Sequence, residues 1–329
     1  MSLVKQLTAL FSKRHKNNNP DNPKLKPASV KKYIRDLQLL AKSMDMDFVN
    51  LDFLKEPSKV FKAIENLSPT VKASRLVPVL ILSQDHPELK ELHKEYTIKH
   101  KSITRPLKDR VRNGIQSEKT QKNMVSWSEI QNTVNQHKKS AEKIYKQLSV
   151  MERKPTSTQL KTIRKYVIAM LVAGDKDLPP RRNEYGDVEV IKNASYKKLK
   201  EEERNKNNYL VIGVKPFFHF ANYKTVDVTG VVDIPVPSPV MKVLRKWMSL
   251  QDSKYLFSNL SDEPLGFSDF GSLVRTVFST PTKNIGTNIL RHAFITEHVG
   301  PIHEEHKELA LKMGHDASMQ KGYIVNDDE

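Results

Sequence analysis

Cysteine is absent from the 329-residue sequence. That excludes disulfides, thiolate metal sites and cysteine nucleophiles, and it leaves the redox compartment open. Long apolar runs are missing too: nothing approaches the roughly 20 residues a membrane-spanning helix needs, and there is no lipidation motif. Residues 1–16 mix a few apolar side chains (Leu3, Val4, Leu7, Leu10, Phe11) with basic ones. They lack the long apolar core and small-residue cleavage site of a secretory signal. The expectation is an intracellular protein, nuclear or cytoplasmic according to where its partner lies, with no membrane contact. Acid is the other shortage. With 38 Asp+Glu against 55 Lys+Arg the net charge is +17, spread over the whole chain. The partner should be a polyanion, of which nucleic acid is the commonest.

The length is generous for one core and comfortable for two domains. Asn17-Asn18-Asn19-Pro20-Asp21-Asn22-Pro23 is polar and proline-punctuated and reads as a tether, so residues 1–27 are expected to form a flexible arm. Apolar residues then recur at helical spacing through Val30–Leu40, Val60–Leu67, Val71–Leu82 and Leu89–Tyr96. This predicts a small all-α unit over 28–100. Pro78 lies inside the third segment and should bend it or shift its start. Residues 101–123 are basic and have little to bury. They read either as a solvated linker or as a DNA-tracking segment, with Lys101, Arg105, Lys108, Arg110 and Arg112 as the candidate DNA contacts.

The second unit, 124–329, opens on Ser126 and Glu129, spaced as a capping box, ahead of a helix through Ile130, Val134, Ile144 and Leu148. A longer apolar helix is predicted over about 156–173. Three short β-rich stretches follow at 209–212, 217–223 and 231–236, as for a three-stranded antiparallel sheet. Helical patterns resume over 240–250, 267–278, 285–297 and 304–313. The fold class is mainly α with one small antiparallel sheet (α+β).

Chemistry concentrates in the second unit. In Thr287-Asn288-Ile289-Leu290-Arg291-His292-Ala293-Phe294, Leu290 and Phe294 are four apart and can face a core, which leaves Asn288 and Arg291 on another side. Twenty-four residues after Arg291 comes Met313-Gly314-His315, and eight beyond that histidine is Tyr323. This order resembles the C-terminal signature of tyrosine recombinases and phage-type integrases. Upstream, Pro179-Pro180-Arg181-Arg182-Asn183-Glu184 is similar to that family's first arginine box, an arginine followed three residues later by an acid. The spacing selects Arg181, with Arg182 as the fallback. Asn222-Tyr223-Lys224-Thr225 resembles its hairpin lysine segment. Taken singly, each residue has an ordinary reading: surface arginine, turn lysine, capping histidine, terminal tyrosine. The order and spacing together are what is specific, and the resemblance spans roughly 28–325.

The resemblance implies a helical core-binding domain and a catalytic domain that clamp double-stranded DNA, working as a tetramer, with no metal, ATP or other cofactor. It implies that Arg181 and Arg291 grip the scissile phosphate and that Tyr323 attacks phosphorus to form a 3′-phosphotyrosyl link. Lys224 would protonate the departing 5′-oxygen, while His315 binds the phosphate or helps take the tyrosine proton. Glu184 would brace the arginine box, and His292 would be structural, its ring buried beside Arg291. Two features depart from the pattern. Asn288 stands where the family usually has histidine, so it can donate a hydrogen bond but cannot titrate. Only six residues follow Tyr323, too few for the C-terminal helix that many relatives exchange, so a tetramer would need other surfaces. The boxes look more like those of recombinases from eukaryotic mobile elements and large DNA viruses than of bacterial ones. A type IB topoisomerase, and a non-catalytic DNA-binding protein of the same fold, fit the same residues.

Overall fold

The computed structural model describes residues 2–15, 23–151 and 154–313. It is mostly helical, with one four-stranded mixed sheet. The chain divides into two compact units, Met1–Ser117 and Glu118–Glu329. Among the described residues, no helix is long and apolar enough to cross a membrane.

Among its described residues the first unit has helices and no β-strand. Its helices are α1 (Leu3–Lys13), α2 (Pro27–Lys42), α3 (Pro57–Ala63), α4 (Pro69–Asp85) and α5 (His93–Arg112). Pro27, Pro57 and Pro69 each begin a helix, where a missing N–H costs nothing. Two expectations are corrected here. The supposed flexible arm contains α1, whose Leu7 and Phe11 are buried in the unit's core, with the Phe11 ring edge-on to Tyr33 at 5.6 Å. Burying two such side chains contributes about 1.5–3 kcal/mol each. Arg14 then ties the end of α1 to Asp85 and Gln84. Secondly, most of the supposed linker is helix: α5 runs unbroken to Arg112, and Asn113 and Gly114 close it with backbone bonds to Asp109 and Val111. Its inner side carries Tyr96 and Ile103 against the core, so a segment with little to bury still has one apolar edge. Pro78 does not interrupt α4; it is buried within it.

The second unit begins with α6 (Glu118–Asn123), α7 (Trp127–Met151) and α8 (Ser157–Ala173). The capping box ahead of α7 is formed: the Ser126 N–H donates to Glu129 Oε2 at 2.8 Å, and the Glu129 N–H donates to Ser126 Oγ at 3.2 Å. Thr156 and Gln159 make a second box at α8, whose residues from Tyr166 to Ala173 are all buried. The sheet has four strands rather than three: β1 (Val188–Lys192), β2 (Asn208–Ile212), β3 (Phe217–Phe220) and β4 (Val232–Pro235), in that spatial order. β1 pairs parallel to β2 and the other pairs are antiparallel, so the sheet is mixed, correcting the purely antiparallel expectation. Short helices α9 (Asn193–Lys198) and α10 (Glu201–Arg204) connect β1 to β2, and α11 (Val226–Thr229) lies between β3 and β4. Then come α12 (Ser238–Met248), α13 (Gly266–Phe278), α14 (Thr287–His298) and α15 (Gly300–Lys312).

Strand alternation gives the sheet two different faces. Phe218 and Phe220 join Tyr185 and Phe270 in the main core. Phe217 and His219 face the other way, toward Tyr196 and Tyr209.

Candidate active site

A cleft of about 420 Å³ in the second unit is lined by Pro179–Arg182, Glu184, Tyr223, Thr225, Thr229, Val232, Ile234, Arg291, Phe294 and Ile295. The arginine box, the β3–β4 connection and α14 thus meet, although about 110 residues separate the first arginine from the last.

Each wall has a local cause. The box segment can lie against α13 because two positions there lack side chains. A Cβ on Gly186 would strike the Gly266 carbonyl and Phe270, and one on Gly271 would strike the Asn183 amide. Behind the box, Tyr185 is fully buried among Phe218, Phe220 and Phe270, and burial pushes its phenol well above the ordinary range. On α14, Leu290 is fully buried and Phe294 packs edge-on to Trp127 at 5.2 Å, which turns Arg291 toward the cleft.

Three guanidinium groups face one lining carboxylate, Glu184. The Arg181 guanidinium lies over the Phe220 ring at 4.0 Å and the Tyr223 ring at 5.0 Å, and its Nε is buried without a hydrogen-bond partner. Arg291 is held below the usual guanidinium range, mainly by burial, next by Arg182 and slightly by Arg181, with Glu184 opposing. Among the described residues none of the three arginines forms an ion pair. Ring stacking returns about 0.5–2 kcal/mol per cation, whereas taking an ion out of water costs several. The cleft is therefore costly when empty and relieved by an anion.

Glu184 is 4% exposed and its Oε2 has no hydrogen-bond partner. Its charge acts on Arg291. Lys224 is exposed, between the lining residues Tyr223 and Thr225 but not itself lining. It sits in a broad connection, not the tight hairpin turn expected: α11 intervenes, and the Tyr223 hydroxyl meets Thr229 Oγ1 at 2.6 Å and donates to the Gly230 carbonyl. Asn288 is exposed one turn before Arg291 and lies outside the lining. His292 is half-buried, not buried as expected, and is also outside it. His315 and Tyr323 lie outside the described residues.

Sequence reasoning missed the aromatic platform, Phe220 and Tyr223, beneath Arg181. The alternation of Phe218 and Phe220 could have pointed to it. In the first unit, Lys101, Arg105, Lys108 and Arg112 are all exposed, and their 4-3-4 spacing places them along one side of α5. Arg110 is exposed off this stripe and donates to the Gln116 carbonyl at 3.1 Å, a local role at the helix end. Among the described residues, no group of three or more His, Cys, Asp or Glu side chains is arranged to hold a metal. No protein-family model matches the chain, and no curated protein matches it in sequence.

Proposed function

We propose that this chain is a tyrosine-type DNA recombinase, cleaving and rejoining double-stranded DNA through a covalent phosphotyrosyl intermediate. The observation that carries the reading is the convergence of Arg181, Arg182 and Arg291, half-buried, in no ion pair among the described residues and outnumbering the one lining carboxylate, Glu184, around one cleft beside the Lys224 loop.

A phosphodiester resists attack because its oxygens repel nucleophiles and its transition state gathers charge on the equatorial oxygens, so fixed cations must already be in place. Guanidinium groups serve this purpose: they remain charged, and each can bind two phosphate oxygens at once. In the proposed step the Tyr323 phenol oxygen bonds to phosphorus while the bond from phosphorus to the 5′-oxygen breaks. Lys224 delivers a proton to that leaving oxygen, and His315 accepts the tyrosine proton. Attack by a 5′-hydroxyl reverses the step and frees Tyr323, so bond energy is conserved and neither ATP nor a metal is required. Exposed cations along α5 add affinity without sequence preference. The enzyme would assemble as a homo-tetramer on its DNA, in whichever of nucleus or cytoplasm holds the target.

The test is trapping on a duplex nicked so that cleavage cannot be reversed, in the presence of EDTA. Wild type should give a covalent protein–DNA band and Tyr323→Phe none. Equal bands from both, or loss of the band in EDTA, would overturn the assignment.

A further inference from the structure

A second cleft in the same unit has the makings of an anion site. It has a volume of about 540 Å³ and lies where the turn between α13 and α14 meets the end of α6. Three cations line it, Lys122, Arg275 and Lys283, together with the hydroxyls of Ser279, Thr280 and Thr282, and no carboxylate is among its lining residues.

The turn is held in shape by its own polar groups. Ser279 Oγ accepts the Ile285 N–H at 2.9 Å, and Thr280 Oγ1 accepts the Lys283 N–H at 3.1 Å. The Ser279 hydroxyl therefore keeps a proton to donate outward, and the Thr280 and Thr282 hydroxyls, 3.4 Å apart, keep one between them beyond their mutual contact. Asn123 Oδ1 accepts the Asn284 N–H at 2.5 Å, and the Lys283 ammonium donates to the Met124 carbonyl at 2.8 Å, which fixes the turn to the end of α6. Glu129 is the carboxylate that feels Lys283, but its oxygen is engaged with Ser126. Arg275 spends one nitrogen on Ser272 Oγ at 3.0 Å, and among the described residues neither it nor Lys122 has an acid partner. Hydroxyl donors beside unpaired cations, with acid excluded, match the tetrahedral monoanion of a phosphodiester better than a carboxylate-bearing peptide.

We infer that this cleft is a second phosphate site, holding a backbone phosphate of duplex DNA other than the one being cut. The inference rests on the proposed function for the identity of its anion, not for the geometry of the site. It gives the DNA a fixed register on the unit, because a phosphate seated at the turn before α14 constrains which phosphate reaches Arg291 on α14.

The test is equilibrium binding of a labelled duplex of arbitrary sequence across a salt series. Lys122→Ala/Arg275→Ala is compared with Lys138→Ala/Lys139→Ala, an equal charge loss at exposed positions of α7. The cleft variant should weaken binding roughly tenfold near physiological salt and flatten the log–log salt slope by about 0.9 for each phosphate no longer neutralised, against little change in the control. Thr282→Val should weaken binding severalfold with the slope unchanged, as removal of an uncharged donor requires. Equal losses in the two double variants, or an unchanged slope in the cleft variant, would overturn the site. If wild type does not bind duplex at all, the site and the proposed function fail together. If it binds but gives no covalent adduct, the catalytic reading alone fails and the salt slopes still decide the site.

Discussion

The two faces of the sheet treat buried polar groups in opposite ways. On the face away from the cleft, His219 is 4% exposed and its ring is fully engaged: Nδ1 lies 2.6 Å from Asp233 Oδ1 and 3.0 Å from the Tyr196 hydroxyl, and the Nε2–H donates to the Arg204 carbonyl at 3.1 Å. On the cleft face, Arg181 rests on aromatic rings with its Nε unpartnered, and Arg291 is desolvated beside like charge. Adjacent residues of β3 serve both sides, His219 for one and Phe220 for the other. Where polar groups satisfy one another they hold the fold; where cations are left without partners, the missing partner is a ligand.

The contrast can be broken by mutation, and the largest effect belongs to the unpaired side. Arg181→Ala or Arg291→Ala should slow strand cleavage about 10²–10³-fold, the loss seen on removing one donor to a developing anion, as measured by single-turnover trapping. The same variants should lose little stability in urea denaturation: Arg181 gives up only its ring stacking, about 0.5–2 kcal/mol, and Arg291 only a through-space attraction to Glu184, each offset by relief of the cation's desolvation. His219→Phe should do the reverse. It strands the Tyr196 hydroxyl and the Arg204 carbonyl, at about 1–3 kcal/mol for buried groups left unsatisfied, read as a lower denaturation midpoint. If Arg291→Ala destabilised the protein more than His219→Phe, the two faces would not differ in kind.

Smaller effects sharpen the comparison with the exposed cations of the first unit. Lys101→Ala/Arg105→Ala/Lys108→Ala on α5 should flatten the salt dependence of DNA binding by up to about 0.9 for each cation that had neutralised a phosphate, with thermal stability and the rate of cleavage of bound DNA unchanged. On the proposed function, exposed cations would add affinity through released counterions, whereas desolvated ones would act on the transition state. The smallest expected change is in pH. Burial, then Lys108, holds the His100 imidazole below its ordinary value, so the folded state binds fewer protons there than the unfolded chain. The stability it contributes is present above the unfolded pKa of about 6.5 and is lost as pH falls through the lower folded value. His100→Gln should flatten the stability of the protein across that acid window, measured by denaturation midpoints at stepped pH.

Much of the helical framework was legible because capping boxes and apolar periodicity are local signals. Ser126 with Glu129 marked the start of α7, and the Leu290–Phe294 pair marked the inward side of α14. Three things were not legible. The apolar stripe of α1 is short and basic, and only the partners it meets, such as Tyr33, make it part of a core. The outer end of α5 carries one apolar edge among many cations, so composition outweighed periodicity. β1 is five residues set among charged ones, and its existence depends on a parallel partner some twenty positions away. At the site, the arginine positions could be read from motif order. Of the ring platform beneath Arg181, strand alternation signalled Phe220 but nothing local signalled Tyr223, which meets the same guanidinium only in the folded chain.

The central claim is that the guanidinium cleft presents a DNA phosphate to Tyr323. Digesting the trapped adduct and locating the nucleotide by mass spectrometry tests it most directly. The expected result is a single modified peptide carrying the nucleotide on Tyr323, with its yield from Arg291→Ala sharply reduced at a matched time. A nucleotide found on any other residue, or a yield indifferent to Arg291, would contradict it.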